Sequence, residues 1–151
     1  TGAGVAVPPG APAPDISTVD AFISAVTGAR SVAYSCSGPS GIYFAGLLER
    51  LGIAEQVTAR ATVVDSGPTA AALIDGRADL AIHQLSELIL VPEATIIGPL
   101  PEAIQEYTYF STALGTASRA SGAAELCDFL HGPEAHAAYA ANGLEVFSEK
   151  A

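Results

Sequence analysis

Two segments of the chain repeat one pattern whose residue types suit the binding of a small anion. Each is a β-prone run followed by a corner and then an apolar helical pattern, and the corners read Ser37-Gly-Pro-Ser40 and Ser66-Gly-Pro-Thr69. A strand, a small-residue loop and a helix start are how α/β proteins aim backbone amides and the helix dipole at an anion. Ser40 and Thr69 are expected at or near the N-caps of their helices. We therefore predict one anion held between the two corners.

The same corners have a simpler interpretation. Glycine, proline, serine and threonine are ordinary turn and cap residues, and a single corner of this kind is better explained that way. Duplication of the corner at corresponding strand ends favours a site, because ligands of open α/β sheets bind at the carboxyl ends of the strands.

Three further side chains are expected near the same edge. His83 and Gln84 end a predicted strand, where they either reach a ligand or form a hydrogen-bonded strand-end pair. Tyr34 precedes the first loop and is placed to close over a ligand. The predicted ligand-binding residues are Ser37, Ser40, Gly41, Ser66, Gly67, Thr69, Gln84 and Tyr34, with His83 as an outer candidate.

Motifs for catalysis or cofactor binding do not fit the chain. The residues around Ser40 lack the G-x-S-x-G spacing of a nucleophile elbow, and no phosphate-binding G-x-x-x-x-G-K-[ST] occurs. His131 and His136 are separated by Pro133, which keeps them off a common helical face. The sequence therefore predicts no catalytic residue, no metal site and no cofactor.

Composition limits the classes of partner. The 151 residues carry sixteen acidic against six basic side chains, a formal charge of −10. Nucleic acids and anionic membrane surfaces require basic patches, so neither is expected as a partner. A small anion remains compatible, because backbone amides carry no formal charge. No apolar run approaches the roughly 20 residues of a membrane span, so no direct membrane insertion is expected.

The two cysteines and the first residue bear on the compartment. Cys36 and Cys127 lie far apart, and two unpaired thiols are expected, although a disulfide in an oxidising compartment stays open. The chain begins at Thr1 without a visible signal peptide. We therefore expect a processed, truncated or fragmentary chain.

Periodic segments place these residues on an α/β scaffold, predicted as one domain over residues 1–151. Strands that alternate with helices indicate a mostly parallel sheet with flanking helices. The predicted strands are Gly4–Val7, Ser31–Tyr34, Thr62–Val64, Leu80–His83, Thr95–Ile97 and Tyr107–Leu114. The predicted helices run from about Asp15 to Thr27 and over Gly41–Leu51, Thr69–Asp75, Gly122–Leu130 and Glu134–Asn142, with one helical turn at Ser86–Leu90.

Several short stretches, in order along nearly the whole chain, carry a family resemblance. They are Pro39–Ala45 with Leu47–Gly52, Ala72–Ile82, Ile97–Pro101, Phe129–Ala135 and Asn142–Leu144. In these the chain resembles the molybdate-binding-like periplasmic solute-binding proteins of ABC transporters. The resemblance implies a type II periplasmic-binding-protein fold, with ligand in a cleft between two lobes. Only the second part is matched, so we expect the distal lobe plus the returning C-terminal helices, with the first lobe absent.

The resemblance also implies a function. It predicts a periplasmic protein that binds a molybdate- or tungstate-like oxyanion or a small carboxylate and delivers it to a membrane permease. The family's amide donors fall near Ser40 and near Gly67–Thr69. Gln84 stands where a tyrosine commonly contacts the oxyanion, a departure that suits a carboxylate or an oxyanion other than molybdate.

Two alternatives stay open beside this transport function. The resemblance extends to aconitate isomerase, an enzyme that moves a double bond of a tricarboxylate by proton transfer and needs a general base. His83 is the candidate base, on position alone. If the chain is a fragment, its exposed cleft face instead predicts a homodimer.

Overall fold

The computed structural model describes residues 1–116 and 120–146. The chain divides into two compact units, Thr1–Thr108 and Tyr109–Ala151. The first contains the sheet and the predicted site residues, and the second contains two helices. The prediction of one domain made of a lobe and returning helices stays a prediction. Among the described residues, no helix is both long and apolar enough to cross a membrane.

The first unit is built on a five-stranded mixed sheet. Its strands are β1 (Ala3–Val7), β2 (Val32–Ser35), β3 (Thr62–Val64), β4 (Leu80–Gln84) and β5 (Thr95–Pro99). They lie in the order β3-β2-β4-β1-β5. Strand β2 runs parallel to β3 and to β4, whereas β1 runs antiparallel to β4 and to β5. Four of the five strands therefore share one direction, and the predicted α/β class with a mostly parallel sheet is confirmed.

Helices flank the sheet and form the second unit. The first unit has α1 (Val19–Gly28), α2 (Pro39–Arg50), α3 (Ala54–Thr58), α4 (Ala71–Ile74), α5 (Leu85–Leu88) and a 3₁₀ turn at Glu102–Ile104. The second has α6 (Ala123–Leu130) and α7 (Pro133–Ala141). Helix α1 is capped by Thr18, whose Oγ1 accepts from the N–H of Ala21 at 3.1 Å. Helix α3 was not predicted, because five residues are too few for a periodic signal.

The predicted strand Tyr107–Leu114 is wrong. Tyr107 makes one isolated antiparallel bridge with Gly2, and residues 108–114 form no strand. Tyr109 and Phe110 are both exposed, so the alternation of aromatic and small residues does not mark a buried face. β-propensity reflects packing against neighbouring strands. Among the described residues, the strand-like hydrogen bonds of this segment end at Thr108, which bonds Thr1 in both directions.

The two faces of the sheet carry different cores because alternate strand residues point to opposite sides. One face is built from large side chains: Val5, Val7, Val32, Tyr34, Leu80 and Ile82 with Phe22, Val26, Phe44, Leu47 and Leu48. The other is built mainly from small ones: Ala6, Ala33 and Ala81 with Ala70, Ala72, Leu73, Ala78 and Leu88. The alanines let the short helices α4 and α5 approach the strands closely.

Gln105 ties the segment after β5 to the first strand. Its Oε1 accepts from the N–H groups of Ala3 and Glu106 at 2.9 and 2.8 Å, and its Nε2 donates to the Ala3 carbonyl at 2.9 Å. Replacing Gln105 by alanine should lower the free energy of unfolding by about 2 kcal/mol, because partly buried backbone groups lose their partners. Urea unfolding measures this effect, with Gln56→Ala at an exposed position of α3 as the control. Equal effects of the two changes would contradict the assignment.

Candidate functional site

The carboxyl ends of β2, β3 and β4 form one edge of the sheet, because these three strands are neighbours and parallel. The loops that follow β2 and β3 are the two predicted corners. They contact each other: the Cys36 N–H donates to the Val64 carbonyl at 3.4 Å, and Cys36 Sγ donates to Asp65 Oδ1 at 3.4 Å. The structure therefore places the two Ser-Gly-Pro corners side by side.

Ser35, the last residue of β2, organises the first corner. Its Oγ accepts from the N–H groups of Ser37 and Gly38, both at 3.3 Å. Sequence reasoning missed Ser35, although a hydroxyl at a strand end directly before a loop is a signal for such a turn. The Ser37 N–H is thus already engaged, and its side chain is exposed.

Helix α2 starts directly after this turn. Its N-cap is Gly38, and the N–H groups of Gly41 and Ile42 both donate to the Gly38 carbonyl at 3.0 Å. Pro39 has no N–H. Among the described residues nothing accepts from the N–H of Ser40, which leaves this group free at the positive end of a twelve-residue helix.

Ser40 lies near the N-cap of α2, as predicted, but its hydroxyl makes no capping hydrogen bond. It lies two residues after the N-cap, on the helix face that carries Phe44 and Leu47 into the core, and it is 5% exposed. Its Oγ is buried without a hydrogen-bond partner. A buried hydroxyl left this way costs about 1–3 kcal/mol, so an acceptor or donor from outside the chain is expected there.

Gly41 has a packing role that only glycine fulfils. A Cβ built on it would lie 1.7 Å from the Ser35 carbonyl oxygen. The start of α2 therefore rests directly on the end of β2, which fixes the position of the free Ser40 N–H.

The second corner is anchored through Thr69. Helix α4 has Ala70 as its N-cap, so Thr69 lies next to the cap, near the predicted position, but its hydroxyl does not cap the helix. Thr69 is fully buried, and its Oγ1 donates to the Ile82 carbonyl of β4 at 3.2 Å. Gly67 has φ +86°, a conformation that favours glycine, and Ser66 is exposed. The N–H groups of Gly67 and Thr69 have no acceptor in the part of the chain that the structure describes.

The remaining predicted residues lie in β2 and β4. Gln84 is buried, and its Nε2 donates to Thr108 Oγ1 at 3.0 Å. His83 is 9% exposed, and its Nδ1 is buried without a partner. Tyr34 packs edge-on against Phe44 with ring centroids 5.2 Å apart, within the core.

Burial lowers the pKa of His83 from its ordinary value of 6.5, while the nearby negative charge of Glu87 acts in the opposite direction. Near neutral pH the ring is therefore uncharged, with one donor and one acceptor nitrogen. The predicted strand-end pair of His83 with Gln84 is not formed, since Gln84 bonds Thr108 instead.

The chain matches the family model of bacterial extracellular solute-binding proteins over residues 1–145. It belongs to this family. Aconitate isomerase from Pseudomonas sp is 38% identical over 143 residues, which cover 93% of this chain and 54% of the relative. The fold matches that of the periplasmic molybdate-binding protein of Azotobacter vinelandii with a TM-score of 0.63 at 21% identity, covering 97% of this chain and 66% of the other.

These matches confirm the family resemblance and the fold. This solute-binding protein chain spans about half the length of the curated relative that it matches. The match with the molybdate-binding protein concerns the fold alone.

Among the described residues of this solute-binding protein, the four arginines lie away from the candidate site. Arg30 and Arg77 pair with Asp79 and Asp75, both at 2.9 Å. Arg50 stacks over Tyr43 and Arg60 bonds the Thr27 carbonyl. Within residues 1–116 and 120–146 no cluster of acidic, histidine or cysteine side chains is able to hold a metal ion. An anion at this edge would therefore be held by uncharged donors.

A separate groove of about 450 Å³ lies between residues 13–17 and 97–101. Its lining includes three prolines and contains no member of the predicted ligand-binding set. The candidate site thus rests on the free polar groups at the sheet edge rather than on this groove.

Proposed function

We propose that this chain forms one ligand-holding lobe of a periplasmic solute-binding protein that captures a small anion for an ABC transporter. The observation that carries the proposal is Ser40, a residue 5% exposed, whose N–H is free at the start of α2 and whose buried Oγ lacks a partner. Two adjacent unpaired polar groups at the N-terminus of a long helix suit the oxygens of an anion.

The second corner supplies the complementary donors. The N–H groups of Gly67 and Thr69 lie in the loop that contacts the first corner through Cys36. Such donors discriminate ligands by size and by the number of acceptor oxygens. The formal charge of −10 is no obstacle, because surface charges beyond about 8–10 Å are largely screened at physiological ionic strength. The carboxylate of Asp65 at this edge repels negative groups that come close to it. The site therefore favours ligands whose anionic groups stay away from Asp65.

The proposed ligand class is a small carboxylate, with molybdate-like oxyanions as the alternative. A relative named for aconitate, 38% identical over most of this chain, supports a tricarboxylate. The partners of this chain would be the other lobe of the cleft and the membrane permease. If no other lobe is supplied, a second copy of the chain would take its place. Light scattering distinguishes these states by mass.

A second candidate function is isomerisation of a tricarboxylate. The identity to aconitate isomerase favours it, and His83 offers an uncharged imidazole near the second corner. The reaction would remove a proton from one carbon and return it to another, shifting the double bond. Incubation with cis-aconitate in deuterium oxide tests this function by NMR, because turnover gives the trans isomer and deuterium at carbon. An unchanged substrate spectrum would contradict isomerisation and leave transport as the remaining candidate function.

Calorimetric titration of the complete gene product tests the main proposal. The ligands are cis-aconitate, trans-aconitate, citrate, molybdate, tungstate, sulfate and phosphate. We expect micromolar binding of a tricarboxylate, weakened roughly tenfold in Ser40→Ala through loss of one hydrogen bond to a charged group. The variant should be at least as stable as the parent, because the deleted hydroxyl is buried without a partner. Ser24→Ala on the exposed side of α1 is the control, and absence of binding by all seven anions would contradict the proposal.

A further inference from the structure

His83 carries a feature that the amide site does not use. It lies near the end of β4, two residues beyond Ala81, which is paired with Ala33 of β2. Ser35 likewise lies two residues beyond Ala33, so His83 and Ser35 occupy the same face of the sheet at the ends of neighbouring strands. The usual spacing between neighbouring strands places their backbones about 5 Å apart. The Thr69 hydroxyl bonds the carbonyl of Ile82, the group linked to the N–H of His83. The second corner therefore lies directly beside this histidine.

We infer that the imidazole of His83 contacts the bound anion and takes up a proton when the ligand binds. The inference deepens the proposed function and rests on it. Its geometric basis is a nine-tenths buried side chain with an unpaired Nδ1, beside the loop whose free N–H groups would hold the anion.

The charged groups around this ring are few, and one of them is Asp65, which lies directly before the second corner and accepts from Cys36 Sγ. Among the elements that pack against β4, strands β1 and β2 and helix α4 contain no charged residue. Helix α2 carries Glu49 and Arg50, but in its last turn, at the opposite end from Ser40. Helix α5 carries Glu87, whose charge acts on His83. A bound anion would therefore be the main new charge that the ring meets.

The sign of the effect follows from burial. Burial holds the pKa of His83 below 6.5 in the free protein, so the ring is neutral at pH 7. An anion next to the ring favours the charged form and raises that pKa in the complex. Ligand binding then takes up protons at pH values between the pKa of His83 in the free protein and its pKa in the complex. The affinity for the anion increases as the pH falls through this window. A rise of one unit corresponds to about tenfold in affinity.

Calorimetry of the complete gene product with trans-aconitate, between pH 8 and 5.5 in buffers of different ionisation enthalpy, measures this proton uptake. We expect the parent protein to bind up to about tenfold more tightly at the acidic end, after the change seen in His83→Gln is subtracted. That subtraction removes the titration of the ligand itself. Glu87→Gln should move the uptake window to lower pH, because Glu87 raises the pKa of His83.

His136→Gln in the second unit is the matched control and should keep the full pH dependence. Equal proton uptake by the parent and by His83→Gln would overturn the inference while leaving anion binding intact. No binding by the parent protein at any pH would overturn both this inference and the proposed function. If His83→Gln fails to fold, an unshifted window in Glu87→Gln contradicts the inference by itself.

Discussion

Replacing Gly41 by alanine is expected to destabilise the protein by at least about 3 kcal/mol and to abolish anion binding. The new Cβ would lie 1.7 Å from the carbonyl oxygen of Ser35, which is backbone and has no room to rotate away. The start of α2 must then move off the end of β2, and the free Ser40 N–H moves with it. Urea unfolding followed by circular dichroism measures the loss.

The matched control for this change lies in the same helix. Gly46→Ala places its Cβ 3.5 Å from Arg50 Nη1, an ordinary contact with the end of a flexible side chain. It should stabilise the protein by roughly 0.5–1 kcal/mol, because alanine is the better helix former. If Gly41→Ala were as benign as Gly46→Ala, the contact between helix start and strand end would be wrong.

Phe44→Ala is expected to cost about 3–5 kcal/mol of stability. Phe44 is fully buried and packs edge-on against Tyr34, so its removal leaves a cavity between α2 and β2. Chemical denaturation measures the change in the free energy of unfolding. Ile42→Ala is the control in the same helix, because Ile42 is 62% exposed and should matter by less than about 0.5 kcal/mol. A small effect of Phe44→Ala would mean that α2 is not held by this core.

The sequence predicts the scaffold of the site well, because local signals and burial agree there. The apolar helical pattern after the first corner predicted α2 over Gly41–Leu51, and the observed helix begins two residues before the predicted one. The strands that end in the two corners were likewise predicted. Family membership and the α/β class are confirmed.

What the sequence could not predict depends on contacts between distant residues. The hydrogen bond from Thr69 Oγ1 to the Ile82 carbonyl requires the second corner to fold back over β4, which no local pattern encodes. The unpaired Nδ1 of His83 is visible only once β4 is buried between its neighbours. The missing strand after Tyr107 has the same cause, since a strand needs a partner as well as propensity. The ligand role of the predicted site residues stays a prediction.

The central claim is that the amides of the two corners bind a small anion. The most direct test is an ¹H–¹⁵N NMR titration of the complete gene product with trans-aconitate, with sodium chloride at matched ionic strength as the control. The account predicts saturating shifts of the Ser40, Gly67 and Thr69 amide signals with the carboxylate and none with chloride. Saturating shifts confined to residues 13–17 and 97–101, or no saturating shift at all, would contradict it.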